Sequence, residues 1–240
     1  MPFYAQMDSP LGVILLCSNG THLSGLYFAG QKDCPEVQGL AQVQPGHADP
    51  TAGTLQGAAI KDFKVYKHNT EPDLFAKQEA GNSPLACIGQ DPINVYPVSA
   101  LEGFNWHVSA HKLTFLQDHT PKNVQILFEQ AQQELFQYFA GRLTVFTVPL
   151  CLEGTDFQKK VWQALLNIPY GECVSYGDVA KMAGLTAQHG RPVGTAVGRN
   201  PLTIIVPCHR VLAGSGRLNG YTGGLERKFA LLALEGFSLR

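Results

Sequence analysis

The amino-acid sequence predicts an α+β protein in which an antiparallel sheet comes first and a mainly helical domain follows. Strand patterns concentrate near the N-terminus, whereas helical patterns with clear start and stop signals dominate after residue 153. Two of the later helices are short and closely spaced. We place the domain boundary between residues 150 and 151, where Pro149 and the sequence Glu-Gly-Thr interrupt both kinds of pattern.

Residues 1–150 are predicted to form the sheet, one helix and a long insertion. β-structure is expected over residues 3–28, with a hairpin turn at the sequence Ser-Asn-Gly-Thr. Residues 31–110 lack periodicity and are rich in Gly, Pro, Gln and Ala, which indicates a mostly irregular insertion with a strand or two in its later part. A helix is expected over residues 123–138 and should end at Gly141. Its apolar stripe consists of Val124, Leu127, Phe128, Ala131, Leu135 and Phe139.

Two capping boxes mark helix starts in residues 151–240. Thr155 and Gln158 precede an apolar stripe of helical period. Ser175 and Asp178 begin a second, shorter helix that is expected to end at Gly184.

A third helix is predicted to open at Arg191 and Pro192, because proline is tolerated at a helix start. The second and third helices, joined by a short connection that contains glycine, form a helix-turn-helix pattern. The last helix is expected to run from Leu225 to a cap at Gly236.

Composition excludes several classes of protein. Hydrophobic residues make up 45% and charged residues 15% of the chain, which is typical of a globular protein and not of a disordered or fibrous one. The longest apolar runs are too short to span a bilayer, and the N-terminus lacks the features of a secretory signal. Cysteines are scattered without a C-x-x-C pair, which argues against a zinc ribbon and favours a cytoplasmic location, or a nuclear one in a eukaryote.

Charge is distributed unevenly along the chain. Residues 152–240 carry 10 Lys/Arg and 6 Asp/Glu, whereas residues 1–151 carry 8 and 13. A basic C-terminal part is typical of a nucleic-acid-binding module. A chance scatter of solvated charges explains this asymmetry equally well.

The segment Ile-Ile-Val-Pro-Cys-His-Arg, residues 204–210, contains the main candidate for chemistry. Its β-branched residues predict a buried strand that ends at Pro207 and gives way to a loop. Cys208 is a candidate nucleophile, because a neighbouring imidazole such as His209 lowers a thiol pKa if the chain bends at residues 207–208. Glu235 is the carboxylate best placed to orient that imidazole. From the residues alone, an inert buried cysteine is an equally good interpretation.

Longer stretches around this segment resemble a known family. Residues 153–237 include GTDFQKKVWQALLNIPYGECVSYGDVA and RPVGTAVGRNPLTIIVPCHRVLAGSGRLNGYTGGLERKFALLALEG, in this order. They resemble the C-terminal domain of the O(6)-alkylguanine-DNA alkyltransferases (methylated-DNA–protein-cysteine methyltransferases), whose signature is Ile-Val-Pro-Cys-His-Arg-Val. Residues 1–30 resemble the family's N-terminal domain more weakly. The resemblance implies a ribonuclease H-like N-terminal domain and a winged-helix-like C-terminal domain.

This resemblance implies a DNA-repair reaction that each molecule performs once. Cys208 would accept an alkyl group from guanine O6, giving a stable S-alkylcysteine and restored guanine. His209, acting through a water, would be the base, and Glu235 would polarise it. Tyr221 would donate a hydrogen bond to a ring nitrogen of the departing guanine. No cofactor is expected.

Five further site residues are implied in the same way. Asn200 would brace the turn before the cysteine, and the cation of Lys228 would favour the thiolate. Pro207, Val211 and Thr222 are expected in the guanine pocket. The range of alkyl groups accepted, and O4-methylthymine as a second substrate, depend on the volume of that pocket.

The implied partner is double-stranded DNA carrying O6-alkylguanine, bound in the minor groove with little sequence preference. The damaged nucleotide would be flipped out, with Arg191 filling its place in the stack and Tyr176 pushing on its 3′ phosphate. Thr195 belongs to a slim helix face that suits the groove, and Arg199 is expected to contact a phosphate. The protein is expected to act as a monomer without a membrane partner.

Two other functions stay open at this point. A module that senses alkylated DNA without repairing it would need an unreactive Cys208, for instance one with a raised pKa. A cysteine hydrolase would need an intermediate that water releases over many turnovers, and it would leave the helix-turn-helix unexplained.

A metal site is not expected. Some family members bind zinc in the N-terminal domain, and Cys17 and His22 keep a C-x₄-H spacing like theirs. Two ligands do not complete a tetrahedral zinc shell.

Overall fold

The N-terminal part is built on a four-stranded antiparallel sheet. The computed structural model describes residues 1–41, 64–67 and 112–239. The strands of this part are β1 (Phe3–Met7), β2 (Ile14–Ser18), β3 (Leu23–Phe28), β4 (Val65–Lys67) and β5 (Leu113–Phe115). The strand order in the sheet is β3-β2-β1-β5, and β4 pairs with a strand outside it.

The predicted hairpin turn joins β2 to β3. Gly20 adopts a φ of 108°, which favours glycine, and the Asn19 side chain accepts hydrogen bonds from the Thr21 and His22 amides at 3.2 and 3.0 Å. Every residue of β2 is buried, because this strand lies between β1 and β3 and is covered on its faces.

Helix α1 (Lys122–Phe139) packs against β1 and β5 and closes the N-terminal core. Gly141 follows it with a φ of 67°, as predicted. The helix buries all six residues of the predicted stripe and, in addition, Tyr138. The 3.6-residue period therefore identified the packed face correctly.

Part of the predicted insertion is attached to the end of the chain. β4 pairs antiparallel with β8 (Phe237–Leu239), and the Val65 amide donates to Gly216 O at 3.1 Å. Residues 31–41 contain neither helix nor strand, in agreement with the predicted irregularity. The rest of the predicted insertion lies outside the described residues, apart from positions 64–67.

The C-terminal part is mainly helical, and no helix within the described ranges is long and apolar enough to cross a membrane. Its two shortest strands pair in parallel. The elements are α2 (Asp156–Leu166), β6 (Val174–Ser175), α3 (Tyr176–Met182), α4 (Gly190–Gly198), β7 (Val211–Leu212) and α5 (Leu225–Leu234).

Both predicted capping boxes are confirmed. Thr155 and Gln158 exchange side-chain and backbone hydrogen bonds at the start of α2, and Ser175 and Asp178 do the same at the start of α3. These reciprocal bonds satisfy amide donors that have no partner inside the helix.

The helix-turn-helix consists of α3 and α4, joined by a 3-10 turn at Ala187–His189. Helix α4 begins at Gly190, one residue before its predicted start, and Pro192 is its third residue, where a backbone N–H has no intrahelical partner. Trp162 of α2 donates through Nε1 to Ala196 O at 2.8 Å and thereby fixes α4 on the core.

The predicted buried strand before Cys208 is wrong. Residues 203–206 form a turn in which Ile204 has a φ of 74°, and Cys208–Arg210 form a 3-10 turn. The Asn200 side chain donates to Val206 O at 2.8 Å and accepts from the Leu202 amide at 3.0 Å. These bonds satisfy buried backbone groups that a strand would pair with a neighbour, so β-branched residues are tolerated in a turn. The predicted bend at residues 207–208 is confirmed.

Backbone hydrogen bonds join the N-terminal sheet to this turn. The Leu26 amide of β3 donates to Pro201 O at 2.8 Å, and the Thr203 amide donates back to Leu26 O at 3.1 Å. Arg227 of α5 donates to Leu11 O at 2.8 Å, and its guanidinium lies 4.7 Å from the Phe28 ring centroid. The proposed boundary at residues 150 and 151 falls in the connector between α1 and α2.

Candidate active site around Cys208

Asn200 supports the Cys208 thiol as well as the turn that carries it. Its Nδ2 lies 3.1 Å from Cys208 Sγ and also donates to Val206 O. The cysteine is 6% exposed. The predicted brace is therefore in direct contact with the predicted nucleophile.

Burial raises the pKa of the Cys208 thiol, although the Asn200 hydrogen bond and the Lys228 charge act in the opposite direction. The resting protein consequently holds a neutral thiol at physiological pH. A nucleophilic role then requires a base that accepts the proton when substrate is present.

Lys228 supplies a buried cation beside the thiol. Its Nζ donates to Val211 O at 2.6 Å and to Asn219 O at 2.7 Å, and the side chain is fully buried. Burial lowers the pKa of Lys228 to about 8, while Cys208 acts in the opposite direction. Lys228 thus remains mostly protonated at neutral pH, and its charge stabilises a thiolate over a thiol.

His209 forms a buried pair with Glu235. Nε2 lies 2.9 Å from Glu235 Oε1, and burial lowers the pKa of His209 even though the carboxylate favours the protonated ring. A neutral ring paired with a carboxylate carries its proton on Nε2, which leaves Nδ1 as an acceptor. Nδ1 is buried and has no hydrogen-bond partner among the described residues. It is an unused proton acceptor one residue from the thiol.

Glu235 collects hydrogen bonds from several elements. Arg210 Nε and Nη2 donate to its two oxygens at 2.9 Å each, and the Gly171 amide donates at 3.2 Å. Tyr138 donates to Oε1 at 2.8 Å. Burial by itself would raise the pKa of Glu235, but the contacts with His209 and Arg210 hold it at about 2. The carboxylate is therefore ionised across the physiological range.

Sequence reasoning missed two of these partners. Arg210 directly follows Cys208 and His209 in the sequence. A guanidinium next to a histidine that is expected to pair with a carboxylate was the signal that could have identified it. Tyr138 lies 97 positions from Glu235 in the chain. It adjoins the buried stripe of α1, but nothing local indicates which carboxylate its hydroxyl reaches.

Three predicted DNA-contacting residues lie together at a cavity of about 750 Å³. Tyr176 hydroxyl donates to Asn219 O at 3.4 Å, so the first residue of α3 contacts the loop that leads to Tyr221. Burial, reinforced by Cys208, raises the pKa of Tyr176 to about 12, so its hydroxyl stays protonated. The cavity is lined by Tyr176, Gln188, Gly190, Arg191, Gly194, Thr195, Asn219 and Gly220.

Tyr221 and Thr222 continue the loop beside this cavity. The Tyr221 hydroxyl is buried and has no hydrogen-bond partner within residues 1–41, 64–67 and 112–239. Burial raises its pKa well above the usual value, so it remains a donor. Thr222 donates to Gly198 O at 2.6 Å and fixes the loop to the end of α4.

The other predicted residues lie further apart. Arg199 caps the C-terminal end of α4, away from the cavity-lining end that carries Arg191. Val211 is fully buried, and its carbonyl accepts from Lys228. Pro207 lines another cavity, of about 450 Å³, which shares no lining residue with the one at Arg191.

In the described part of the chain, no group of three or more potential metal ligands lies together. Cys17 is buried in β2 and His22 is exposed in the following turn.

Fold and site together define a two-domain protein that places a buried cysteine, beside a histidine and a lysine, behind a helix-turn-helix. A family model described as 6-O-methylguanine DNA methyltransferase, DNA binding domain, matches residues 156–237. A methylated-DNA–protein-cysteine methyltransferase of Methanosarcina acetivorans is 53% identical over 109 residues, which are 45% of this chain and 69% of that protein. The chain therefore belongs to the methylated-DNA–protein-cysteine methyltransferase family.

Mycobacterial relatives agree with this assignment. The Mycobacterium tuberculosis protein of the same name is 57% identical over 108 residues, which are 45% of this chain and 65% of that relative. The crystal structure of Mycobacterium tuberculosis OGT in complex with DNA superposes with a TM-score of 0.55 at 32% identity and covers 96% of this chain and 91% of that one. The aligned sequence spans just under two thirds of the mycobacterial relatives' length.

Proposed function

We propose that the protein repairs DNA by transferring an alkyl group from guanine O6 to Cys208. One observation carries the proposal: Cys208 Sγ contacts Asn200 Nδ2 at 3.1 Å, and the buried Lys228 cation acts on the same thiol. The adjacent His209 pairs with Glu235 through Nε2, while its Nδ1 has no hydrogen-bond partner in the described part of the chain. A buried thiol with a hydrogen-bond donor, a cation and a free base nearby is equipped for nucleophilic displacement.

The chemistry follows from these groups. His209 Nδ1 takes the thiol proton through a bridging water, and Glu235 stabilises the resulting imidazolium. The thiolate attacks the alkyl carbon in line as the carbon–O6 bond breaks, and the bonding electron pair leaves with the guanine. The Tyr221 hydroxyl donates to a ring nitrogen of that guanine and offsets its developing negative charge. S-alkylcysteine and unmodified guanine are the products.

The reaction consumes the protein. A thioether is stable in water, and the proposed transfer leaves the alkyl group on the sulfur of Cys208. Each molecule should therefore act once, and no cofactor is needed to balance the reaction.

Duplex DNA is the proposed partner, and the surface around Arg191 is its proposed docking site. A thiol as buried as that of Cys208 cannot reach a base that is still stacked in a duplex, so the nucleotide has to be extruded first. Arg191, Tyr176 and Thr195 line one cavity, and Gly194 leaves the exposed side of α4 slim enough to approach a groove. We further propose that the protein acts as a monomer in the cytoplasm, or in the nucleus of a eukaryote.

Mass spectrometry tests the proposal directly. The protein is incubated with excess O(6)-benzylguanine, and one benzyl group per chain, located on Cys208 by peptide mapping, is the expected result. Absence of any adduct on Cys208 after prolonged incubation would defeat the proposed transfer. The same incubation with an aryl ester tests a cysteine hydrolase, which would release product over many turnovers.

A sensor of alkylated DNA is the second candidate, and the raised pKa of Cys208 is the observation that favours it. A sensor would bind duplex containing O6-methylguanine more tightly than undamaged duplex and leave the methyl group in place. Transfer is the stronger candidate because Asn200, Lys228 and His209 all favour an ionised sulfur, which a sensor does not need.

A further inference from the structure

We propose that Tyr138 is a positioning residue through which the N-terminal domain sets the proton-accepting state of His209. This inference rests on the proposed transfer to Cys208. Tyr138 lies on α1, whereas Cys208, His209 and Glu235 belong to the C-terminal part.

The Tyr138 hydroxyl contacts both members of the buried His209–Glu235 pair. It donates to Glu235 Oε1 at 2.8 Å and lies 3.5 Å from His209 Nε2. The side chain is 1% exposed, and its ring packs edge-on against Tyr170 with centroids 6.1 Å apart. Phe146 packs on it at 5.4 Å. These contacts leave the hydroxyl little freedom to turn elsewhere.

Donation to Oε1 has a direct consequence for His209. Burial, with Glu235 close by, raises the pKa of Tyr138 well above its usual value, so the hydroxyl stays protonated and acts as a donor. Oε1 accepts from Tyr138, from His209 and from Arg210 Nη2. A carboxylate oxygen shared with other donors attracts the imidazolium less strongly, so the Tyr138 bond makes it easier for His209 to release its proton. The hydroxyl thus adds to burial, which is the main cause of the lowered His209 pKa, in keeping the ring neutral and ready to accept the thiol proton.

Other charged and titratable groups face the same pair from the surrounding elements. Arg210 and Lys228 both disfavour the protonated ring of His209. Cys173, before β6, and Tyr170, after α2, interact with Glu235, and Lys67 of β4 acts on Cys173. None of these groups is removed by a change at Tyr138, so the tyrosine hydroxyl can be tested separately.

The test is the pH dependence of benzyl transfer in Tyr138→Phe. With excess O(6)-benzylguanine, transfer should be pseudo-first-order and slow down as acid protonates His209. Loss of the hydroxyl should move the midpoint of this decline to higher pH by about 0.5–1 pH unit. This shift corresponds to about three- to tenfold slower transfer at the acid end of the pH range. Because the rate constant is read from the reacting fraction only, a reduced yield of folded variant does not obscure it.

Tyr170→Phe is the matched control. Tyr170 lies next to Tyr138, and its hydroxyl donates to the backbone oxygen of Leu234 at 3.0 Å. Its removal therefore deletes a neighbouring hydrogen bond and keeps the hydrogen bonds that the Glu235 carboxylate makes with Tyr138, His209, Arg210 and Gly171. We expect the Tyr170→Phe midpoint to coincide with that of the parent protein. Coinciding midpoints for all three proteins would overturn the role of Tyr138, whereas a parent protein that forms no adduct would overturn the proposed function itself.

Discussion

Two cysteines of this chain are buried to the same extent and lie in opposite surroundings. Cys17, in β2 of the N-terminal sheet, and Cys208, in the C-terminal 3-10 turn, are each 6% exposed. Burial and the neighbouring Cys34 raise the pKa of Cys17 to about 12. Its sulfur packs closely against Gly25, where an added Cβ would lie 3.1 Å away.

The difference lies in what offsets burial, which by itself raises the pKa of a thiol. Cys208 is also desolvated, but the Asn200 side-chain amide, the Lys228 cation and the backbone amides of Cys208 and His209 offset part of that effect. Reactivity in this protein therefore depends on polar groups brought into the interior next to the sulfur, and each of these groups can be removed singly.

Replacing each of these two cysteines by alanine should give the largest difference in benzyl transfer. Cys208→Ala is expected to abolish benzyl transfer, because it removes the sulfur that accepts the alkyl group in the proposed reaction. Cys17→Ala should still take up one benzyl group per chain. Intact-protein mass spectrometry checks both, and a benzyl adduct on Cys17 in Cys208→Ala, or no adduct in Cys17→Ala, would contradict the comparison.

Acid should lower the free energy of unfolding through the ionisable groups of the Cys208 site. Glu235 has a folded-state pKa of about 2 against an ordinary value of 4.5, so it stabilises the fold fully above pH 4.5 and less as pH falls toward 2. The lowered pKa of His209 acts in the same direction below its ordinary value. Urea unfolding should show a loss on the order of 2 kcal/mol or more between pH 7 and pH 3.

Glu235→Gln provides the control for this acid effect, since glutamine does not ionise. Its free energy of unfolding should start lower at pH 7, because Arg210 loses its partner, and should vary less between pH 7 and pH 3. Parallel pH curves for the two proteins would show that Glu235 is not the group responsible.

Asn200→Ala tests whether the thiol needs its hydrogen-bond donor. We expect benzyl transfer to slow by about tenfold or more, because a hydrogen bond to a charged group is worth about 1.5–3 kcal/mol. The free energy of unfolding should fall by about 1–3 kcal/mol, because the Val206 carbonyl also loses its partner. Asn123→Ala, which removes an exposed side-chain bond to Gly20 O, is the control and should change neither quantity appreciably.

Arg191→Ala separates reactivity of the sulfur from delivery of the lesion. Transfer from free O(6)-benzylguanine should be unchanged, because Arg191 belongs to the cavity rim and does not contact the sulfur. Transfer from O6-methylguanine in duplex DNA should fall on the order of tenfold, since flipping a base costs a few kcal/mol. Lys122→Ala, an exposed change at the start of α1, should leave both rates as they are.

Prediction from sequence succeeded at several elements whose signals are local. The capping boxes at Thr155 and Ser175, the turn between β2 and β3, and the apolar stripe of α1 each depend on residues a few positions apart. The strand expected before Cys208 failed, because the tendency of its β-branched residues to form strands was outweighed by the hydrogen bonds of Asn200 and the left-handed conformation of Ile204.

The sequence by itself determined the capped helices, the helix-turn-helix and the order of the elements, because these follow from short-range spacing. The choice of Cys208 as the nucleophile came from the resemblance to a known family. Only the tertiary structure decided which groups meet at Glu235 and what state the sulfur rests in. Tyr138 and Arg210 approach that carboxylate from positions 97 and 25 residues away. Burial, which raises the pKa of Cys208, exists only once the two domains have packed around it.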